Sequence, residues 1–210
     1  IGNSNLKSEN AKSFNIGLTY AKSIKTSNFE TTVDLYQNKI TDKIVAIPTK
    51  NLFNWSMQNI GNVLSRGIDL SLLYSLKKDL FNLVFSTSQS YNSSIDITEK
   101  TSFTYGHQIP YTPKYNASYT STLGYQKINV SLTLLHTGSR YVINENLPSN
   151  KLDGFIDIGI GVSRLFKLKS QSIYCKLQAA NLLNTNYEVI KSFPMPGRHF
   201  DLKIVYTFNK

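Results

Sequence analysis

Apolar and polar residues alternate one by one through most of this 210-residue chain. Every second residue from Phe200 to Phe208 is apolar, and from Ile156 to Val162 isoleucine or valine alternates with small or acidic residues. Successive side chains of a β-strand point to opposite faces, so this pattern gives each strand one apolar and one small or polar face. The sequence is therefore predicted to be all-β.

The same alternation recurs often enough to predict about nine strands. Each predicted strand is roughly long enough to cross a bilayer when tilted, and no apolar stretch approaches the length of a membrane helix. Besides the two segments above, the predicted strands are Phe14–Tyr20, Phe29–Leu35, Ile68–Tyr74, Phe81–Phe85, Ala117–Leu123, Ile128–Leu134 and Ile173–Leu177.

The connections between these strands alternate between short and long. Short turns at one end and long loops at the other are typical of outer-membrane barrels, in which the short turns are periplasmic. A soluble β-sandwich also has alternating strands, so it is the connections that favour a transmembrane antiparallel β-barrel. The short ones are predicted at Lys25–Ser27, Leu76–Asp79, Gly124–Lys127 and Lys167–Ser170, and the long, extracellular ones at Val45–Trp55, Ile95–Pro110, Asn144–Asp153 and Asn184–Gly197.

The two faces of the predicted sheet suit lipid on one side and a wet lumen on the other. Residues predicted to contact lipid are Ile68, Leu70, Leu72, Ile158, Ile160, Leu202 and Ile204. Residues predicted on the polar face include Asn15, Asp69, Asn82, Asn129, Ser131 and Asp157. An aromatic girdle is expected near the periplasmic strand ends, formed by Tyr20, Tyr74, Tyr125 and Tyr206.

Charge and motif content argue against other classes of function. The chain has 23 Lys and Arg against 13 Asp and Glu, but the basic residues are scattered rather than gathered on one face, so no nucleic-acid partner is predicted. No G-x-S-x-G nucleophile motif, phosphate-binding glycine loop or cluster of Cys and His is present, so neither an enzyme nor a cofactor is predicted. The single cysteine, Cys175, is interpreted as a small apolar residue.

Several short motifs occur in an order and at a spacing that resemble TonB-dependent outer-membrane receptors. The most specific is Asn59–Leu70, which is similar to the family pattern N-x-G-x-A-x-S-R-G-V-E-L. Ser8, Asn15 and the final Asn209–Lys210 depart from the family, which usually has Pro, Glu and a terminal aromatic residue there. The other matching segments are Asn5–Leu18, Leu35–Ile44, Ile109–Lys114, Asn181–Tyr187 and Phe193–Arg198.

The resemblance implies that residues 1–210 are the C-terminal part of a barrel of about twenty-two strands. Its plug domain, its first strands and the segment that contacts TonB would then lie outside this chain. Partners implied are the rest of the receptor, TonB, outer-membrane lipid and a small-molecule ligand. Arg66, Asp69 and Arg198 are expected to face the lumen or the plug, the alternative being that the arginines are simply solvated.

The family function would be energy-coupled uptake of a scarce nutrient across the bacterial outer membrane. The closing motifs resemble receptors for ferric siderophores, haem or cobalamin more than glycan importers. His107, beside Tyr105 in a long loop, is a candidate ligand-binding residue, although such a histidine can also be merely exposed. The alternatives are a passive porin or adhesin-type barrel, and a soluble basic β-protein that binds polyanions.

Overall fold

The computed structural model describes residues 3–48, 55–168 and 171–208. These residues form fifteen β-strands and one short 3-10 helix, Pro148–Asn150. The strands are β1 (Asn10–Ile24), β2 (Ser27–Thr41), β3 (Ile44–Pro48), β4 (Trp55–Asn59), β5 (Val63–Lys78), β6 (Phe81–Asp96), β7 (Tyr115–Tyr125), β8 (Ile128–Thr137), β9 (Arg140–Tyr141), β10 (Lys151–Leu152), β11 (Phe155–Leu168), β12 (Gln171–Ala180), β13 (Glu188–Ile190), β14 (Phe193–Pro194) and β15 (His199–Phe208).

Nine of the strands form one antiparallel sheet in the order β1-β2-β5-β6-β7-β8-β11-β12-β15. Each strand pairs with the next sheet strand along the chain, so the sheet is a continuous meander. All nine predicted strands are present, which confirms the all-β antiparallel fold. The remaining six strands form the hairpins β3-β4, β9-β10 and β13-β14. Among the described residues, no helix is long and apolar enough to cross a membrane.

The short connections are tighter than the sequence predicted, because the strands continue closer to the turns. β5 continues to Lys78, so the turn predicted from Leu76 begins only at Asp79. Each described turn starts with a residue at positive φ, namely Lys25 (47°), Asp79 (50°) and Gln126 (54°). The turn predicted at 167–170 lies partly outside the described residues.

Because the sheet is an antiparallel meander, every long connection lies at the opposite end from the short turns. These connections were predicted as loops, but three of them carry the small hairpins. Backbone groups withdrawn from water need hydrogen-bond partners, and pairing within each connection supplies them. The predicted loop Val45–Trp55 is in part the β3-β4 hairpin, and residues 49–54 lie outside the described chain.

The strand register gives the sheet one apolar and one polar face. Leu35 pairs with Ile68 and Leu18 pairs with Val33 on the apolar face. This face is open to its surroundings, with Leu18 73% exposed and Leu202 68% exposed. A continuous exposed apolar face of this kind marks a surface that contacts a membrane or another protein. At the short-turn end of the same face lie the four tyrosines of the predicted girdle, of which Tyr20 lies 6.2 Å from Phe29, ring centre to ring centre.

Fully buried residues are few and concentrate at the long-connection end. Val63 and Asn181 are both 0% exposed, and Val142, Leu152 and Phe155 are also buried there. In contrast, every residue of β1 and of the outer strand β15 is exposed. The well-packed part of the described chain is thus formed by the long connections.

Candidate functional site

The four long connections lie side by side beyond one end of the sheet, and their described residues are 42–48 with 55–62, 97–114, 138–154 and 181–198. We call them the loop layer. Hydrogen bonds join neighbouring members, so the layer is a packed structure and not four independent loops. Its geometry decides what this end of the sheet can bind.

Asp96 joins two connections of the loop layer. Its carboxylate, 3% exposed, accepts hydrogen bonds from the backbone N and the hydroxyl of Thr98 (2.8 and 2.6 Å). It also accepts from the hydroxyl of Thr104 and the side-chain amide of Asn144, each at 2.8 Å. Sequence reasoning missed Asp96, although an Asp two residues before a Thr is a recognisable turn-forming pattern.

His107 lies at the same junction. Its Nδ1 is 3.2 Å from the backbone oxygen of Asn144, and its ring packs edge-on against Phe103 at 5.2 Å. A hydrogen bond from Nδ1 to that carbonyl would leave Nε2 to accept from another partner. Tyr105 is 39% exposed at the surface of the same connection. Both residues therefore lie in the loop layer, where the sequence placed them.

Arg66 and Asp69 lie on opposite faces of β5, because three positions separate them. Asp69 pairs with Asp34 and lines a polar cleft with Asn15. Arg66 is on the apolar face, near the loop-layer end, and its Nε donates to Oε1 of Gln37 at 2.8 Å. The expectation that both face the lumen therefore does not hold for Arg66.

Gly67 lies between these two residues and on the polar face, where it makes room for a neighbouring tyrosine. A Cβ atom added to Gly67 would come within 2.3 Å of the hydroxyl oxygen of Tyr36. Arg198, the third residue expected in the lumen, precedes β15 and is exposed. Its backbone N donates to Oδ1 of Asn184 at 2.9 Å and its Nε donates to the backbone oxygen of Leu182 at 3.0 Å. Arg198 thus fastens the start of β15 to the beginning of the last long connection, residues 181–198, which we call the closing connection.

Asn181 is the centre of the closing connection and explains why the motif Asn181–Tyr187 has its sequence. Its side-chain amide donates to the backbone oxygens of Thr185 (2.9 Å) and Pro196 (3.1 Å), and its Oδ1 accepts from the backbone N of Thr185 (2.9 Å). It is fully buried and its φ is 47°, a conformation that asparagine tolerates better than most residues.

Tyr187, at the end of the same motif, ties this connection to the sheet. Its hydroxyl donates to Oδ2 of Asp157 at 2.8 Å, and its ring stacks on Phe155 with centres 4.0 Å apart. Burial, and then the neighbouring Asp157 carboxylate, raise the pKa of Tyr187 to about 12. The phenol therefore keeps its proton, and its ability to donate, to a higher pH than an ordinary tyrosine does.

Beneath the loop layer, on the polar face of the sheet, is a cavity of about 590 Å³. Arg140, which is 2% exposed, is the one charged residue among the described residues that line it. The guanidinium carbon lies 5.8 Å from the centre of the Phe155 ring. Burial lowers the pKa of Arg140 from its ordinary value. Nothing in the sequence marks Arg140, because the connections that surround it are brought together only by the fold. The lining residues are Val45, Ala46, Pro110, Tyr111, Pro113, Leu135, Thr137, Arg140, Phe155, Val189 and Ile190.

In the part of the chain that the structure describes, no group of three or more His, Cys, Asp or Glu residues is arranged to hold a metal ion. The loop layer does offer hydrogen-bonding groups, aromatic rings and the buried charge of Arg140. These groups can bind a ligand.

Several solved structures of receptors and transporters share this fold over nearly the whole chain. One is BauA, the ferric preacinetobactin receptor from Acinetobacter baumannii, at 18% identity and a TM-score of 0.66, covering 93% of this chain and 29% of that one. The ferric-catecholate import receptor Fiu from E. coli K12 is 16% identical, with a TM-score of 0.65, and the match covers 98% of this chain and 29% of that one. The copper transporter OprC is 14% identical, with a TM-score of 0.68, and the match covers 96% of this chain and 31% of that one.

The chain thus spans a little under a third of the length of these proteins. No curated protein sequence matches it. The family model for the β-barrel of TonB-dependent receptor-like proteins matches residues 1–180. The structural neighbours show the fold, and the family match covers most of the chain. The chain therefore belongs to the TonB-dependent receptor β-barrel family.

Proposed function

We propose that this chain forms part of the barrel wall and the outer loops of a receptor for TonB-dependent uptake of a scarce nutrient. The family match over residues 1–180 carries this proposal. The nutrient classes we propose are ferric siderophores, haem and cobalamin. Proteins of this family are transporters and receptors rather than enzymes, and the loop layer offers groups that can bind a ligand.

The names of the structural neighbours favour a metal-containing ligand over a glycan. They include a receptor for ferric preacinetobactin, an import receptor for ferric catecholates and a copper transporter. We propose a ligand of the same broad kind for this chain. His107 and Tyr105 would then contact it from the loop layer.

We place the chain in the bacterial outer membrane, where barrels of this family reside. The exposed apolar face, with Leu18 at 73% and Leu202 at 68%, would contact lipid. The short turns would lie in the periplasm and the loop layer outside the cell. Asp69 would face the lumen, and Arg66 would lie at the lipid boundary.

The remainder of the receptor would supply the plug, the TonB contact and further strands. In the described chain, β1 and β15 are the two outer strands of the sheet, so each offers one row of backbone donors and acceptors to another strand. In hydrocarbon each unpaired group costs several kcal/mol, which is why membrane-spanning sheets close on themselves. We therefore propose that both edges pair with strands of the remaining barrel.

The proposal is tested by uptake into cells that carry or lack the full-length receptor. Cells are given iron-55 complexes of several siderophores, iron-55 haem and cobalt-57 cobalamin, with TonB present or deleted. We expect accumulation of one of these ligands to fall to background when either the receptor or TonB is absent, since this transport needs energy delivered through TonB. Restoring the full-length receptor should restore uptake only in cells that have TonB.

Two other results would contradict the proposal. Uptake that persists without TonB, together with ion conductance of the purified receptor in planar bilayers, would indicate a passive porin. A receptor that stays in the aqueous phase when detergent micelles are separated would indicate a soluble β-protein.

A further inference from the structure

We propose that the cavity beneath the loop layer binds a small organic anion that carries one carboxylate on an apolar body, with Arg140 as its charge partner. The site is distinct from the half-buried His107 and the exposed Tyr105. Its assignment does not depend on which nutrient the receptor transports.

The cavity has the size and lining of a small-molecule site. Its volume of about 590 Å³ is within the range of roughly 300 to 1,000 Å³ typical of ligand pockets. Its walls come from several connections and from the sheet, and they are mostly apolar. Aliphatic and proline side chains surround one cation, an arrangement suited to an apolar ligand with a single polar group. The apolar contributors include Val45, Pro110, Pro113, Leu135 and Val189.

Arg140 has a hydrogen-bonding group that the described protein leaves unused. Its Nη2 donates to the backbone oxygens of Glu188 (2.6 Å) and Val189 (2.8 Å). Its Nη1 is buried and has no hydrogen-bond partner among the described residues. A buried donor without a partner is unfavourable, and more so when it carries charge.

The charge of Arg140 is also uncompensated in the described part of the chain. None of the three ion pairs found there includes it. The nearby Glu188 contacts Arg140 through its backbone oxygen, while its carboxylate accepts a hydrogen bond from the backbone N of Ser192 at 3.0 Å. A ligand carboxylate would supply both the acceptor for Nη1 and the missing negative charge, and guanidinium groups suit carboxylates particularly well.

Phe155 provides a surface for the body of the ligand. Its ring lines the cavity, stacks on Tyr187 at 4.0 Å and lies 5.8 Å from the guanidinium carbon of Arg140. The ring is only 6% exposed and its neighbours hold it in place, so it contributes a rigid apolar wall rather than a free stacking face. This apolar wall beside the cation is the reason for proposing an apolar body next to the carboxylate.

The test uses the full-length receptor in lipid nanodiscs and two probes of nearly equal shape, 2-naphthoate and the uncharged 2-naphthamide. Binding is measured by isothermal titration calorimetry, with empty nanodiscs subtracted. We expect the wild-type receptor to bind 2-naphthoate about 10- to 100-fold more tightly than 2-naphthamide, the range for one charge-assisted hydrogen bond. Arg140→Gln keeps a donor for the two carbonyls but removes the charge, so it should abolish this preference.

A second variant tests the cavity without changing the arginine. Ala46→Phe would fill part of the space and should remove binding of both probes, whereas Ala21→Phe, on β1 and outside the cavity lining, should leave both unchanged. The proposal is overturned if the wild-type receptor does not bind 2-naphthoate or binds both probes equally. It is also overturned if Arg140→Gln keeps the preference, or if Ala46→Phe leaves binding intact. Nutrient uptake plays no part in this readout, so its outcome is separate from that of the transport experiment.

Discussion

Lysine in place of Ile160 is expected to lower the free energy of unfolding of the full-length receptor by about 2 to 4 kcal/mol, the cost of a cation on the lipid face near the bilayer midplane. Ile160 lies in the middle of β11, pairs with Leu132 and Ala179, and is 41% exposed on the apolar face. The measurement is a urea titration of the receptor in lipid vesicles, followed by tryptophan fluorescence and by gel mobility without boiling.

The matched control is Ser131→Lys. Ser131 pairs with Gly161 and so lies at nearly the same depth as Ile160, but on the polar face. A lysine there can reach a wet lumen, so a much smaller change is expected. Equal losses in the two variants would show that the two faces meet similar surroundings, and would contradict the proposed orientation.

Alanine in place of Asn181 is expected to cost about 2 to 4 kcal/mol, because it leaves buried backbone groups without partners. The side chain is 0% exposed and makes three hydrogen bonds with Thr185 and Pro196. Its positive φ of 47° adds strain for alanine. The free energy of unfolding is measured by the same urea titration, and hydrogen exchange should show faster exchange throughout residues 181–198.

Asn28→Ala is the control for the Asn181 variant. Asn28 is an exposed residue of β2, next to the short turn that follows β1. Its side-chain amide donates a long hydrogen bond, 3.4 Å, to the hydroxyl of Ser75. Its replacement should change stability by no more than about 0.5 kcal/mol. If Asn181→Ala behaves the same way, the closing connection does not depend on the buried amide.

The sheet could be predicted from the sequence because its signal is local. A period of two needs only neighbouring residues, and short turns alternating with long connections fix the order of an antiparallel meander. The same rule shows where the prediction failed. Arg66 and Asp69 are three positions apart, so the alternation itself separates them, and only Asp69 is on the polar face.

The loop layer could not be predicted in the same way, because its contacts join residues far apart in sequence. Asp96 binds Asn144 and Arg140 binds the backbone of Glu188, each across 48 positions. Such pairs carry no local pattern. The motif Asn181–Tyr187 was noticed only through its resemblance to a family, and the structure supplies its physical reason in the amide of Asn181 and the hydroxyl of Tyr187.

The central claim is that the sheet is a section of a transmembrane barrel wall whose apolar face contacts lipid. It is tested most directly by attaching a nitroxide to single cysteines at positions 156–163 of β11 in the full-length receptor in outer membranes, after Cys175→Ala has removed the native thiol. Dissolved oxygen concentrates in lipid and speeds the spin relaxation of a nitroxide that it meets. The relaxation rate of the nitroxide should therefore peak at positions 156, 158, 160 and 162 and fall at the positions between them. Peaks at the alternate positions, or no period of two, would contradict the account.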